Sequence, residues 1–483
     1  MEEISKLNIG IIHSIIGKND GVSIVIDQTV NALVKYMKIP LGNIFFLSAY
    51  APSRFNVTLD DILWHKNEIN KFVVRFFSDE NYPEDFEAQI MRGALKAKKT
   101  INKFIKKNNI HVILAHNTSH PYNFSTALGL NMALDEKREK GKFCPKHILW
   151  WHDSFYERKI FKKPNQVIRK YLKYLPGTNL DGIVFINSRQ RLHAADYFKT
   201  YGNKGFNIEK FIHKKTVVIP NTCDIVWDWM RKINYSKEIL SPPLDHYNRS
   251  FFKDIGVEKA LEEKNLSMKN TVFLLQHTRV VPRKRIDKAI DFAFELERKA
   301  RASQKHVVLI VSGASGDEQS AYKDFLINHH KEKCQLCPDA NVFLFFAEDR
   351  ILSSKDIIID KKYYDYAEIP SLIAHYGGIG TYFSEVEGYG NNLLEMVSKG
   401  LPVVINKYDI YKRDIAQLGF KFPSTENCKL KKGLVEKAFR LITDIRHRNK
   451  IVIHNLEVLN KNLNHRIIAK GMKKIWGLTE TTH

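Results

Sequence analysis

The feature that most constrains this chain is a series of short apolar runs, rich in β-branched residues, each handing over to a stretch whose apolar positions recur at helical spacing. Leu7–Ile12, Ile44–Leu47, Phe72–Phe76, His111–Ala115, Lys146–Trp151, Gly182–Ile186 and Val217–Ile219 make a first series. Thr271–Gln276, His306–Val311, Val342–Phe346 and Leu401–Ile405 make a second. Strands this short and apolar belong in parallel sheets buried on both faces, and parallel strands need crossover helices between them. After the first run, Val25, Ile26, Val30, Leu33, Val34 and Met37 fall on one helical stripe. Two series predict two doubly wound α/β domains facing across a cleft. The expected boundaries are 1–215, a junction or insertion over 216–270, 271–455, and a helical C-terminal segment 456–483. Within the junction, Ser236–Ser250 is polar, carries Pro242-Pro243 and lacks periodicity, as a linker does.

A chain of 483 residues has the size and apolar content for two or three cored domains. No apolar run is long enough to span a bilayer, and the N-terminus enters a strand pattern without a signal peptide's apolar region, so the expected location is cytoplasmic. Cys144, Cys223, Cys334, Cys337 and Cys428 are too few and scattered for a disulfide framework. His329, His330, Cys334 and Cys337 offer zinc-type ligands. Adjacent histidines rarely hold one ion, however, and no second Cys-x-x-Cys exists, so reduced, unliganded cysteines are the favoured reading and no metal site is predicted.

The net charge of +23 admits an anionic acceptor, peripheral contact with the inner membrane surface, or nucleic acid; it also fits lysines scattered over solvated faces. Phe155–Leu175 concentrates the question, because aromatics alternate there with Arg158, Lys159, Lys162, Lys163, Arg169, Lys170 and Lys173. Val167, Ile168, Tyr171, Leu172 and Leu175 share one stripe, which predicts a basic amphipathic helix packed on the sheet or lying on a membrane.

Chemistry concentrates at the ends of the runs, where open α/β sheets bind ligands. In the stretch Phe383–Ile405, Ser384-Glu385-Val386-Glu387-Gly388-Tyr389-Gly390 leads to a short helix opening at Asn391 and stopping at Lys399-Gly400. A glycine turn before a helix N-terminus suits a diphosphate, and the carboxylates Glu387 and Glu395 suit vicinal sugar hydroxyls. A nucleotide sugar has all these parts; the plain alternative is a glycine turn capping an ordinary helix. The run His277–Arg285 places Arg279 and Lys284 between a strand and a helix, where an Arg fork and a Lys point charge reach one diphosphate. Earlier, His116-Asn117-Thr118-Ser119-His120 and His152-Asp153 each follow a strand, and His13–Ser23 carries Gly17 and Gly21 between strand and helix.

Glu387-Gly388-Tyr389-Gly390 with Glu395 resembles the signature of the retaining, GT-B-fold glycosyltransferases of glycosyltransferase family 4 (group 1 type). The likeness extends, in order, to the Gly17–Ser23 loop, His152, the Pro220-Asn221-Thr222-Cys223-Asp224 turn, and Arg279 with Lys284. Thr222 and Arg285 stand where the family has glycine. The resemblance implies two Rossmann-like domains, a donor domain at 271–455, and a C-terminal helix crossing back onto the first domain. It implies catalytic roles for His152, Glu387, Arg279 and Lys284. Donor binding falls to Gly21, Val22, Arg279, Lys284, Gly388, Tyr389, Gly390, Asn391, Asn392, Leu393 and Glu395. Their place at strand ends makes His116, Asn117 and Asp153 acceptor-side candidates, with Asp153 either facing the acceptor or orienting the His152 ring.

The expected function is therefore retaining transfer of a hexose from a UDP- or GDP-sugar to an unidentified acceptor, with no metal and no cofactor beyond that donor substrate. A nucleotide-sugar epimerase or hydrolase on the same fold, an inactive sugar-binding relative, and a polyanion- or nucleic-acid-binding protein are the alternatives. Nucleic acid is the least favoured partner, since it explains the charge and none of the motifs.

Overall fold

The computed structural model describes residues 2–18, 20–51, 56–177, 180–201, 208–225, 237–313, 320–352 and 362–477. Ser236, at the edge of the Ser236–Ser250 stretch singled out from the sequence, lies outside the described residues. The chain divides into two compact units, Met1–Asn221 with His465–His483, and Thr222–Asn464.

The first unit is built on a seven-stranded parallel sheet: β1 (Ile9–Ile12), β2 (Ile44–Ser48), β3 (Val57–Leu59), β4 (Val112–His116), β5 (Lys146–Trp151), β6 (Gly182–Phe185) and β7 (Thr216–Val218). The spatial order is β3-β2-β1-β4-β5-β6-β7. Every residue of β1, β4 and β6 is buried, as the apolar runs require when helices cover both faces. The helix Arg466–Ile475 adds Ile468, Ala469 and Met472 to the cluster that holds Ile9, Ile11, Ile26 and Leu33.

Phe72–Phe76, expected as a strand, is the end of the helix Glu68–Phe76. Ile69, Phe72, Val73 and Phe76 have helical spacing, and the Asn67 side chain accepts from the Ile69 amide to start the turn. The basic amphipathic helix shrinks to Gln166–Tyr171 with a 3-10 turn at Leu172–Tyr174, and Val167, Ile168, Leu172 and Leu175 are buried in the unit's core. Its apolar stripe is thus used by the fold. The helix Phe124–Glu139 has no sequence forecast because its first turns are buried all round, from Phe124 to Asn131, leaving no polar face to reveal a period.

The second unit carries six parallel strands: β8 (Thr271–Gln276), β9 (His306–Val311), β10 (Val342–Phe346), β11 (Ile379–Tyr382), β12 (Val403–Asn406) and β13 (Ser424–Thr425). Their order is β10-β9-β8-β11-β12-β13. Alternate residues of β8 feed opposite faces: Phe273 and Leu275 enter one core cluster, Val272 and Leu274 the other. The fully buried Arg448 donates to the carbonyls of Gly377 (3.0 Å) and Gly378 (2.8 Å), satisfying chain ends between the helix Ile369–His375 and β11. Burial without a carboxylate partner pulls its guanidinium down to about 9.

In both sheets the order of strands reverses once, between β1 and β4 and between β8 and β11. Connections diverge to opposite faces there, opening a crevice at the C-terminal strand ends. Among the described residues no helix is long and apolar enough to cross a membrane.

Candidate active site

At the second unit's switch point, Gln276 closes β8 and is pinned from β11 by the Thr381 hydroxyl, which donates to Gln276 Oε1 at 2.6 Å. Gln276 Nε2 in turn donates to Thr278 Oγ1 at 3.1 Å. Gly313, after β9, lies against this turn so closely that a Cβ on it would sit 2.1 Å from the Thr278 carbonyl oxygen. Only glycine fits. The backbone carrying Arg279 is therefore clamped, while the Arg279 side chain is exposed and forms no ion pair with any described residue.

Lys284 behaves differently. It is buried, and its ammonium donates to Glu387 Oε1 while lying 5.5 Å above the Tyr382 ring. Arg283 reaches the other oxygen, Glu387 Oε2, at 3.2 Å and the Val386 carbonyl at 2.7 Å. Burial pushes the Glu387 carboxyl upward, but Lys284 and Arg283 outweigh it and hold the group at about 2. Burial likewise lowers the Lys284 ammonium, against the pull of Glu387. Two residues assigned separate tasks from the sequence are thus one buried ion pair.

The turn that follows is shaped by Gly390, whose φ of +126 and whose approach to the Tyr408 hydroxyl (2.5 Å from a Cβ) exclude other residues. Gly390 caps the helix Asn391–Ser398, one residue before the expected cap at Asn391. The predicted phosphate cradle is partly spent on the fold. The Leu393 amide donates to the Gly390 carbonyl at 3.0 Å, and the Leu393 and Tyr389 side chains are core residues. Asn392 Nδ2 donates to the His277 carbonyl (2.5 Å) and to Tyr366 Oη (2.6 Å). Glu395 Oε2 lies 3.4 Å from His277 Nε2, and both atoms are buried without a hydrogen bond. His277 is held by Ser312 Oγ at 2.8 Å and stacks on Tyr366 with centroids 4.0 Å apart. Such an unsatisfied pair has capacity left for hydroxyls. Arg285, at a glycine position of the resembling family, is left-handed (φ 49) and recovers the cost through its fork on Asp287 and its bond to Glu385.

In the first unit the switch-point edge is lined by imidazoles. His116, at the end of β4, is fully buried, and its Nδ1 lies 3.1 Å from His152 Nε2 just after β5. The rings of Trp150, His116 and His152 stack, with 5.1 Å between Trp150 and His116 and 5.3 Å between His116 and His152. Burial lowers His152 to about 3, His120 to about 4 and His116 well below its usual value. All are neutral imidazoles at neutral pH. Gln190 Nε2 fixes the His152 carbonyl at 2.9 Å.

Three expectations change here. His116 has no solvent-facing surface, so it supports His152 from beneath and meets no acceptor. The Asp153 carboxylate is occupied by Arg158 and by the Ser154 amide, leaving the His152 ring oriented by His116. The Val22 amide donates to Asp20 Oδ1 at 3.0 Å, and Asp20 also takes the Ser23 amide and hydroxyl. A carboxylate thus caps the helix Gly21–Met37 where a donor phosphate was expected. Asn117 keeps its place at the edge, left-handed at φ 58, with Oδ1 buried and unpartnered.

His277, Arg283, Tyr366 and Gln190 carry structural roles that the sequence reading did not assign. The first two lie inside the run His277–Arg285, and a polar residue closing an apolar strand at a switch point is the signal for His277. Nothing local marks Tyr366 or Gln190. Of the zinc-type ligands, Cys334 Sγ lies 3.7 Å from His330 Nε2, which bonds the Val342 carbonyl at 3.0 Å, while His329 pairs with Asp291 at 2.9 Å and Cys337 is exposed. Among the described residues no group of three or more His, Cys, Asp or Glu side chains is arranged to hold a metal ion.

The whole-chain architecture matches solved structures over nearly its full length. It covers 98% of this chain and 100% of a glycosyltransferase from Rickettsia africae at a TM-score of 0.57 and 13% identity. The trehalose-6-phosphate synthase OtsA gives a TM-score of 0.57 at 12% identity, covering 98% of this chain and 99% of that one. The Anabaena HepE protein in complex with UDP-glucose gives 0.52 at 14% identity, covering 97% and 99%. The fold is GT-B. In sequence, the chain is 27% identical over 456 residues to a mannosylglucosylglycerate synthase of Petrotoga mobilis, covering 86% of each. It is 25% identical over 355 residues to the mannosylglucosylglycerate synthase of Thermotoga maritima, covering 68% of each. No protein-family model matches the chain.

Proposed function

We propose that this GT-B chain is a retaining hexosyltransferase of the family 4 type, moving a hexose from a nucleoside-diphosphate sugar to a small acceptor that bears a carboxylate. The observation that carries the proposal is the buried Glu387–Lys284 pair at the second unit's switch point, beside the uncommitted Arg279 and the underfilled Glu395–His277 pair. A buried carboxylate held ionised by two cations is a costly arrangement for a purely structural site. Arg279 and Lys284 would counter charge developing on the leaving diphosphate, so no metal is assigned to that task. Glu387 would hold the sugar or the reaction centre, Glu395 the ribose, and His152 the transferred sugar. A phosphate-facing role for the backbone of Gly388–Asn392 belongs to the same reading, as does an acceptor contact at Asn117.

The acceptor class draws support from the two relatives, whose names describe synthesis of a sugar-linked glycerate. Glycerate ends in a carboxylate, which the net charge of +23 suits. A glucosylglycerate-like acceptor is therefore the first to try, with a cytoplasmic reaction as part of the proposal. The test is to incubate the protein with UDP- and GDP-linked glucose and mannose, with and without glucosylglycerate. The expected outcome is acceptor-dependent release of nucleoside diphosphate, with a product whose new anomeric centre matches the donor's by NMR. Release that ignores the acceptor means a hydrolase or epimerase, and no turnover of any donor overturns the proposal.

A further inference from the structure

His116 is the most completely enclosed of the histidines at the first unit's edge, and one of its nitrogens is stranded. Its side chain is 0% exposed, Nδ1 lies 3.1 Å from His152 Nε2, and Nε2 is buried with no hydrogen-bond partner. Both rings are neutral, so each carries one N–H, and the short N···N separation holds a single proton. Two arrangements satisfy this. In one, His152 donates from Nε2, His116 accepts at Nδ1, and the stranded Nε2 of His116 must then carry a buried, unpaired N–H. In the other, His116 donates from Nδ1, its stranded Nε2 is a bare lone pair, and the proton of His152 moves to Nδ1. A buried N–H without an acceptor is the rarer and costlier orphan.

The surroundings favour the second arrangement. The main-chain carbonyl of His116 accepts from His13 Nδ1 at 3.1 Å, so the strand end is fixed from β1. The stack against Trp150 fixes the His116 ring plane, at 12° to the indole. Nearby carboxylates have other partners: Asp20 takes the amides of Val22 and Ser23, Asp153 takes Arg158, and Glu157 takes Trp151, Ser154 and Gln190. None of them supplies a counter-charge to the His116–His152 pair. No described residue hydrogen-bonds His152 Nδ1, and that atom is not among the buried orphans.

We infer that His116 is a positioning residue that fixes His152 in the tautomer bearing its proton on Nδ1, so that His152 offers substrate a hydrogen-bond donor and no basic lone pair. On this assignment His152 binds an oxygen of the transferred sugar and takes no proton in the reaction. The activity consequence rests on the transferase reading above, whereas the tautomer is read without substrate, so the two can fail separately.

The experiment is nitrogen NMR of the full chain labelled with 15N-histidine, with the His152 signals assigned by their loss in His152→Ala. The expected result is a protonated Nδ1 and a bare Nε2 on His152; a protonated Nε2 overturns the inference. His116→Phe keeps the stacked ring and removes the donor. It should give His152 as mixed tautomers and lower kcat about tenfold, the worth of one hydrogen bond, with donor KM unchanged. His116→Asn, whose amide N–H occupies the place of Nδ1–H, should restore the single tautomer. An unchanged His152 tautomer in His116→Phe overturns the positioning role, as does failure of His116→Asn to restore it at an unchanged thermal midpoint. Should His116→Phe not fold, the wild-type tautomer decides the question.

Discussion

The two sheets place their chemistry at the same topological position and fill it with opposite electrostatics. At the β1/β4 edge of the first unit the ionisable groups are stacked imidazoles kept neutral by burial, His116 and His152 foremost. At the β8/β11 edge of the second unit they are a buried carboxylate and ammonium, Glu387 and Lys284, paired with each other, with Arg283 on the second oxygen of Glu387. His152 and Glu387 are both depressed, for different reasons: chiefly desolvation in the first, cations prevailing over desolvation in the second. The strand order explains where a site can form, and the residues at the strand ends decide whether it handles a charged diphosphate or the hydroxyls of a sugar.

The most severe way to break this contrast is to neutralise one side of the ion pair. Lys284→Met should destabilise the second unit by about 3 kcal/mol, because Glu387 is left buried with only Arg283 beside it. Lys284→Met combined with Glu387→Gln should recover most of that loss, read by urea unfolding. A single variant as stable as the parent would show that the pair is not held as described.

Acid should separate the units next. A histidine neutral when folded but free to protonate when unfolded makes unfolding take up protons below about 6.5, so its stabilisation fades as pH falls from there. Buried His116 and His147, lowered by desolvation, each remove up to about 1.4 kcal/mol per pH unit in that range. Burial lowers His306, His330, His375 and His447 in the second unit by less. Glu387, held at about 2, keeps its contribution until pH drops below the ordinary carboxylate range and loses it on the way to about 2. Between pH 7 and 5, amide exchange corrected for its intrinsic rate should show β4 and β5 losing protection more steeply than β8 and β11. Parallel losses in the two sheets would remove the distinction.

Much of this was legible in the sequence because parallel strands buried on both faces leave an unmistakable apolar run, and a switch point puts function at the end of one. Arg279, Lys284, Glu387 and Glu395 could be picked out that way. What could not be read is which of them meet. Lys284 and Glu387 are 103 residues apart, and His116 and His152 are 36 apart. No local periodicity encodes such encounters. The Phe72–Phe76 error is of another kind, since five apolar-rich residues fit a strand until Ile69 and the Asn67 cap are counted. Asp20 before Gly21-Val22-Ser23 was an N-cap signature in plain view, and reading it as one would have shown the Val22 amide already taken.

The central claim is that the donor's nucleotide is held by the charged edge of the second unit and not by the neutral edge of the first. Calorimetric titration of UDP and GDP into the parent, Glu395→Ala and His152→Ala tests it most directly. The account predicts that Glu395→Ala raises the Kd of the preferred nucleotide about tenfold, the worth of a lost charge-assisted hydrogen bond, and that His152→Ala leaves it unchanged. A Kd that moves with His152 and stays put with Glu395 would contradict it.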